Sequence, residues 1–270
     1  MDNYQIPSGL EFPILNFKFS MIMNFILDTL FPKFCLGCQK EGTYLCDDCR
    51  ALLDISEFSY CLCEANGAPK RLFQDQAIDG QAIRQTYGKC PKCQNRKLSG
   101  LYFALPYKDK FLTKKLIYQF KYQPYLKDLA KTLASILVEH FVLSNKNTNE
   151  IWKNSILIPV PLDRKKLKSR GYNQSEELAK ELSNAINVPV VSNVLIKIKH
   201  TDPQMKLSKI EREKNLAGAF IIKKPFDFAK GKIFLVDDVY TTGSTMQECA
   251  RILLEAGAKQ VWGICLAREG

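Results

Sequence analysis

The sequence predicts an α/β protein: an open, mostly parallel sheet flanked by helices, preceded by a small cysteine-rich module. Three observations predict it. Short apolar runs at 100–107, 155–161, 233–236 and 260–267 have the near-continuous hydrophobicity of strands covered on both faces. Between them, apolar residues recur at i, i+3, i+4 and i+7, the spacing of one buried helix face. Eight of the ten cysteines fall within 35–93, ahead of the first of these strands. The expected organisation is a tail with a short apolar helix over 1–30, a cysteine module over 31–98 and the α/β domain over 99–270.

Composition narrows the class. At 270 residues the chain accommodates one large or two modest domains, and an apolar fraction of 46% is ample for a packed core. The formal charge of +11 points to an anionic partner: a nucleotide, a nucleic acid or a membrane surface.

Residues 1–20 mix polar and apolar positions around Pro7, Gly9 and Pro13 and read as a tail. Residues 21–31 are apolar but short and carry Asp28, whereas a bilayer span needs about 20 apolar residues. They also lack the basic cluster and small-residue cleavage site of a signal peptide. No transmembrane span and a cytoplasmic location are the expectations, with Leu27, Leu30 and Phe31 packing on the cysteine module.

Cys35-x2-Cys38 and Cys46-x2-Cys49 are two knuckles, each aiming two thiolates at one ion. Four sulfurs in a tetrahedron suit zinc. Cys61-x-Cys63 and Cys90-x2-Cys93 make a second set, weaker for its one-residue spacing and the long insertion between its halves. One zinc or two, interleaved ligands, four spare thiols and an iron–sulfur cluster all remain open. Disulfides are the least supported, in the absence of a secretory signal. Each tetrathiolate zinc carries a formal −2, so two sites would bring the charge from +11 to +7. Cys249, on a helix face, and Cys265, inside the last strand, read as small core residues.

After the strand at 100–107, Lys114, Lys115 and Lys121 interleave with Tyr118, Phe120, Tyr122 and Tyr125. That composition serves single-stranded nucleic acid, in which charges track phosphates and rings stack bases. The preferred reading is an amphipathic helix with core aromatics and solvated lysines. A helical stripe follows from Leu126 through Leu129, Leu133 and Leu137 to His140, a packed histidine rather than a functional one. The polar 143–150 segment reads as a loop.

The strand at 155–161 ends in prolines. Residues 163–170 read as a basic loop, and Asn173 with Glu176 resembles a capping box opening a helix buried through Leu178, Ala179, Leu182 and Ile186. A basic loop between a strand end and a helix start is a polyanion site. Residues 188–199 read as another strand region. The polar segment that follows, with His200 at its base, reads as a lid.

The centre of the chain is 233–245. Apolar Ile233, Phe234, Leu235 and Val236 make a buried strand, with Asp237 and Asp238 where it should end. The loop Thr241, Thr242, Gly243, Ser244 and Thr245 precedes a helix with Met246, Cys249, Ala250, Leu253 and Leu254 on one face and Gly257 at its C′ position. A loop entering a helix N-terminus offers backbone N–H groups and the positive dipole end to an anion, phosphate above all. The hydroxyls add donors, and Gly243 admits close approach. Two carboxylates accept hydrogen bonds from a vicinal diol. A phosphate beside a diol describes a ribose 5-phosphate.

These residues carry a resemblance. The 233–245 run resembles the phosphoribosyl-pyrophosphate (PRPP) motif of type I phosphoribosyltransferases, with Tyr240 where an aliphatic is usual. The run Pro159, Val160, Pro161 and Leu162 followed by Arg170, Gly171, Tyr172, Asn173 and Gln174 resembles the ComF family of competence-associated phosphoribosyltransferase-like proteins. Tyr172 stands there in place of the usual Phe. Thr201, Pro203 and Gln204, then Glu211, Arg212, Asn215, Leu216, Ala219 and Phe220, continue the pattern. The resemblance covers roughly 35–268 and implies the type I phosphoribosyltransferase-like sheet behind a zinc finger. It assigns Asp237 and Asp238 to the ribose hydroxyls and to catalysis with Arg170. Thr241, Thr242, Gly243, Ser244 and Thr245 take the 5-phosphate. Pro161, Leu162, Arg170 and Gly171 form the pyrophosphate loop, and Gln204, Arg212 and Asn215 belong to a mobile lid. Mg²⁺ would enter with PRPP. Transfer of phosphoribosyl to an unidentified acceptor is one expectation. A non-enzymatic module handling single-stranded DNA during uptake, beside a helicase-type competence protein, is the other. The printed chain ends four residues after Leu266, so any hood over the acceptor is expected from the cysteine module or the 108–142 helices.

Overall fold

The computed structural model describes residues 29–57, 62, 93–108, 110–122, 125–144, 151–199, 216–224, 226–228 and 231–269. They fall into two compact units, one within Met1–Ala51 and one within Leu52–Gly270.

The first unit is built around two tight turns. Gln39 N–H donates to Cys35 O, Cys35 N–H to Lys40 O and Leu36 N–H to Tyr44 O, all within 2.9 Å. A short helix, α1 (Asp47–Ala51), follows Cys46 and carries Cys49 on its buried side. Its interior consists of Cys35, Leu36, Leu45, Cys46 and Cys49, so the sulfurs occupy the place of a hydrophobic core.

In the second unit, β1 (Leu101–Pro106), β2 (Ser155–Pro159), β5 (Lys232–Tyr240) and β6 (Val261–Arg268) form one sheet in the order β1-β6-β5-β2, every pairing parallel. Parallel strands need crossover helices, and these cover both faces. The strand residues alternate accordingly. Tyr102 and Phe234 meet Phe141 and Trp152 on one face. Leu101, Phe103, Ile233, Leu235, Val261 and Cys265 share a cluster with Met246, Cys249, Ala250 and Leu253 on the other. Helices α3 (Leu129–Ser144) and α5 (Gln174–Ile186) pack together on the first face, and α6 (Ser244–Glu255) lies on the second. His140 is fully buried in α3, its Nδ1–H donating to Ser56 O at 2.6 Å, and burial lowers its pKa to about 4. Cys249 and Cys265 are fully buried, as expected of core residues.

Two sequence expectations change here. Residues 163–170 are not a loop but a helix, α4 (Arg164–Arg170), with no buried residue. It forms because Asp163 Oδ1 accepts from Lys165 and Lys166 N–H and Gly171 closes its end in the left-handed conformation. Within 188–199 only Leu195–Lys197 is a strand, β3, paired antiparallel with β4 (Phe220–Ile222) in a separate two-stranded sheet. Among the described residues, no helix is long and apolar enough to cross a membrane.

The cleft arises where the sheet changes hands. Strand β2 stops at Pro159, its partner Val236, and one further bond joins Val160 N–H to Val236 O at 2.9 Å. From there the chain after β2 leaves towards α5 on one face, while β5 leads to α6 on the other. Such switch points open a crevice at the carboxyl ends of the strands.

Candidate functional site

The acid pair is inside the strand rather than beyond it. β5 continues to Tyr240, with Asp237 in register with Cys265 and Tyr240 with Arg268 of β6. Because β2 has ended, this last part of β5 is paired on one side and open on the other. Asp237 and Asp238 therefore project from a rigid strand rather than from a turn.

Successive strand residues point to opposite faces, and the two carboxylates have different partners. Ser175 Oγ donates to Asp237 Oδ1 at 2.8 Å, and Asp238 N–H donates to the same oxygen at 2.9 Å. Burial, and then the Asp238 charge, push the Asp237 carboxyl from its ordinary value of 3.8 up to about 7. Asp238 is 7% exposed and pairs with Lys121 Nζ at 2.8 Å. Burial alone would press the Lys121 pKa down; the Asp238 charge and hydrogen bond outweigh it, and the net direction is up.

The loop after β5 opens α6 differently from its neighbours. Gly243 is the N-cap, with φ 76° and no side-chain hydrogen bond to the first turn. A Cβ there would lie 2.1 Å from Tyr240 Oη, so only glycine fits over that ring without displacing it. Tyr240 thus forms the floor under the loop. Thr242 and Ser244 hydroxyls bond each other at 2.9 Å.

Acids and loop share one cleft of about 730 Å³. Of the sequence-predicted residues, Pro161, Leu162, Arg170, Asp237, Asp238, Thr241, Gly243, Ser244 and Thr245 line it, while Thr242 and Gly171 do not. Cationic Lys114, Lys115, Lys121, Lys166 and Lys197 line it as well. Gln204, Arg212 and Asn215, with His200, lie outside the described residues. Helix α2 (Phe111–Lys121) corrects another expectation. Of its aromatics only Phe120 is core; Phe111 is 76% exposed and Tyr118 56%, and the C-cap residue Tyr122 is 44% exposed. Two stripes, Leu116-Ile117-Phe120 inward and Phe111-Tyr118-Tyr122 outward, both fit helical spacing, and the outward one borders the cleft.

In the first unit, the sulfurs of Cys35, Cys38, Cys46 and Cys49 all lie within 4.8 Å of one another, and all four are free thiols. A tetrahedral ion with bonds of about 2.3 Å needs sulfurs about 3.8 Å apart, which this cluster can supply. A Cβ on Gly37 would sit 2.4 Å from Cys49 Sγ, so the first knuckle closes only around glycine. The donor set resists holding four protons or four charges alone. Burial would raise the Cys35 thiol, but backbone N–H groups of Cys46, Cys38 and Gly37 bring it down to about 6. Cys49 is pushed up to about 12, by burial first and then by its sulfur neighbours. A soft dication resolves that conflict. Of the second cysteine set, Cys61, Cys63 and Cys90 lie outside the described residues; Cys93 is 1% exposed within the core of the second unit.

Residues 168–270 match the family model described as the phosphoribosyl transferase domain. Competence protein F of Haemophilus influenzae is 37% identical over 155 residues, covering 56% of this chain and 67% of that protein. DNA utilization protein YhgH of Escherichia coli is 30% identical over 229 residues, covering 82% of this chain and 96% of that protein. The chain belongs to the ComF family. Competence protein ComFC of Bacillus subtilis is similar over a shorter span: 37% identical over 106 residues, 39% of this chain and 40% of that protein. This ComF-family chain has the phosphoribosyltransferase fold, a mostly parallel sheet flanked by helices, together with a cysteine cluster at 35–49.

Sequence reasoning missed the two side chains that touch the acid pair. Ser175 was visible only as the residue after a helix-opening Asn-Gln pair. Lys121 was one lysine among several, and its contact with Asp238 spans over a hundred residues of chain. No local pattern announces such a pair.

Proposed function

We propose that this protein binds PRPP with Mg²⁺ in the strand-end cleft and transfers phosphoribosyl to an acceptor, on the cytoplasmic side of a DNA-uptake system. The observation that carries the reading is one cleft holding an acid pair on a rigid strand beside a hydroxyl-rich loop at an open helix start. Asp237 and Asp238 take the ribose hydroxyls. Thr241, Gly243, Ser244 and Thr245 hold the 5-phosphate, with the Thr242 hydroxyl bonded to that of Ser244, and Arg170, with Pro161 and Leu162, faces the pyrophosphate. Mg²⁺, a hard ion that favours phosphate oxygens and water, would arrive on the pyrophosphate. Catalysis rests on positioning and on cations meeting the charge of the leaving group. The four-cysteine cluster holds a structural zinc. Titration calorimetry with PRPP and Mg²⁺ tests the reading. Wild type binds, and the Asp237→Asn/Asp238→Asn double variant, folded by circular dichroism, loses at least about a hundredfold in affinity, about 2.7 kcal/mol or more. Equal affinity in both proteins sinks the assignment.

The exposed face of α2 favours a second role, binding of single-stranded nucleic acid beside the same cleft. Phe111, Tyr118 and Tyr122 present rings; Lys115 lies 5.9 Å from the Phe111 centroid and Arg170 5.7 Å from that of Tyr122, while Lys114 lies 5.9 Å from the ring of Tyr107 at the end of β1. This reading requires binding at low salt that weakens steeply as salt rises.

A further inference from the structure

The acid pair already has a cation built against it. Lys121 is the last residue of α2, its Nζ 2.8 Å from Asp238 Oδ1 and its side chain 24% exposed. Where α2 ends is itself fixed. Tyr172, 7% exposed, donates its hydroxyl to Phe120 O at 2.7 Å, and the Arg170 guanidinium lies 5.7 Å from the centroid of the Tyr122 ring. The residues on either side of Lys121 are thus tied to the turn that carries Arg170 and Tyr172, and Lys121 and Arg170 line the same cleft.

The next step rests on the PRPP reading given above. A ribose diol on Asp237 and Asp238 competes with Lys121 for the Asp238 carboxylate, whose Oδ1 Lys121 now engages. The 2-hydroxyl sits on the carbon next to C1, and C1 carries the pyrophosphate. An ammonium beside Asp238 is then within a few bond lengths of the departing oxygen. We propose that Lys121 is a further catalytic residue, which leaves Asp238 when the donor binds and contacts its pyrophosphate, meeting the charge that develops as the leaving group departs. The C1–O bond breaks with its electron pair going to pyrophosphate. The acceptor's lone pair forms the new bond at C1, and the acceptor's proton passes to solvent. Lys121 stays charged throughout and transfers nothing. Its position next to the acids also explains why α2 is anchored at its C-terminal end: a free end would let the cation wander from the one place where leaving group and diol meet.

Ribose 5-phosphate separates this role from mere neutralisation of Asp238, because it has the diol and the phosphate but no pyrophosphate. Calorimetry on wild type, Lys121→Gln and Lys121→Arg, each checked for folding by circular dichroism, uses both ligands with Mg²⁺. The expected result is a loss of at least about tenfold in PRPP affinity for Lys121→Gln, with ribose 5-phosphate affinity unchanged or higher, and PRPP affinity within about fivefold of wild type for Lys121→Arg. Parallel losses for both ligands, or none for either, overturn the proposal while leaving the PRPP site standing. Should Lys121→Gln not fold, the arginine variant decides: a large loss for both ligands alike overturns the proposal. Wild type that binds neither ligand sinks the PRPP reading, and this proposal with it.

Discussion

Two of the helices that begin at the cleft, α5 and α6, begin in opposite ways. α5 starts closed. Asn173 accepts from Ser175 N–H at 3.2 Å, its own amide donates to Val160 O at 3.0 Å, and the Ser175 hydroxyl is engaged by Asp237. Side chains of the protein itself occupy the first turn and tie it to the end of β2. Glu176, the acid expected to complete a capping box, instead pairs with Lys180 at 3.0 Å. α6 starts open. Its N-cap is a glycine with nothing to offer the first turn, held in position by the tyrosine beneath it. Every helix has orphan N–H groups at its start. α5 caps its start with its own side chain, whereas the N-cap of α6 supplies none, and on the PRPP reading proposed above that start is the one that receives a phosphate.

The sharpest way to break this comparison is to spoil the open start. Gly243→Ala places a side chain at φ 76°, which costs about 1–3 kcal/mol, and drives its Cβ into Tyr240. We expect a melting temperature lower by roughly 4–8 °C and PRPP affinity lower by at least about tenfold, about 1.4 kcal/mol. Both are read on one preparation, by thermal denaturation and calorimetry. Stability lost without affinity would mean that the α6 start is scaffold.

Spoiling the closed start should have a smaller consequence. Asn173→Ala removes a cap worth about 0.5–2 kcal/mol and the bond to Val160. The melting temperature should fall by about 2–6 °C, and PRPP affinity should stay within about threefold of wild type. An affinity loss as large as that of Gly243→Ala would put ligand at α5 and dissolve the distinction.

What could be read in advance followed from what is local. Strand, acids, hydroxyl loop and helix between Ile233 and Leu254 are contiguous, so one window of sequence contains the whole open start. The knuckles Cys35-Cys38 and Cys46-Cys49 are legible for the same reason. α4 was not, because periodicity reports burial and α4 buries nothing; only its cap residues, Asp163 and Gly171, marked it. The true length of β5 was hidden because it depends on where β2 stops, a property of another strand. α2 misled because a helix with aromatics on two faces satisfies the periodicity of one buried face, and sequence does not say which face meets the sheet.

The smallest expected effect tests the thread between the two starts, the Ser175–Asp237 bond. Asp237 is held up to about 7 chiefly by burial and by Asp238, and the Ser175 hydroxyl works against that rise. Because the folded value lies above 3.8, the native state holds this proton more tightly than the unfolded chain does. Stability from Asp237 is therefore fully present only below about pH 3.8 and is lost as pH rises from there through about 7. On the PRPP reading proposed above, donor binding has the opposite sign, because the ionised carboxylate would accept from the ribose hydroxyls, and affinity should climb over the same interval. Ser175→Ala removes a bond that favours the charged form and shifts both transitions to higher pH. At pH 7 the variant should bind PRPP about two- to fivefold more weakly than wild type, on the order of 0.4–1 kcal/mol. By pH 9 the deficit should close, which calorimetry at both values measures directly. A deficit that persists unchanged at pH 9 would mean that Ser175 positions the Asp237 carboxylate rather than tuning its charge.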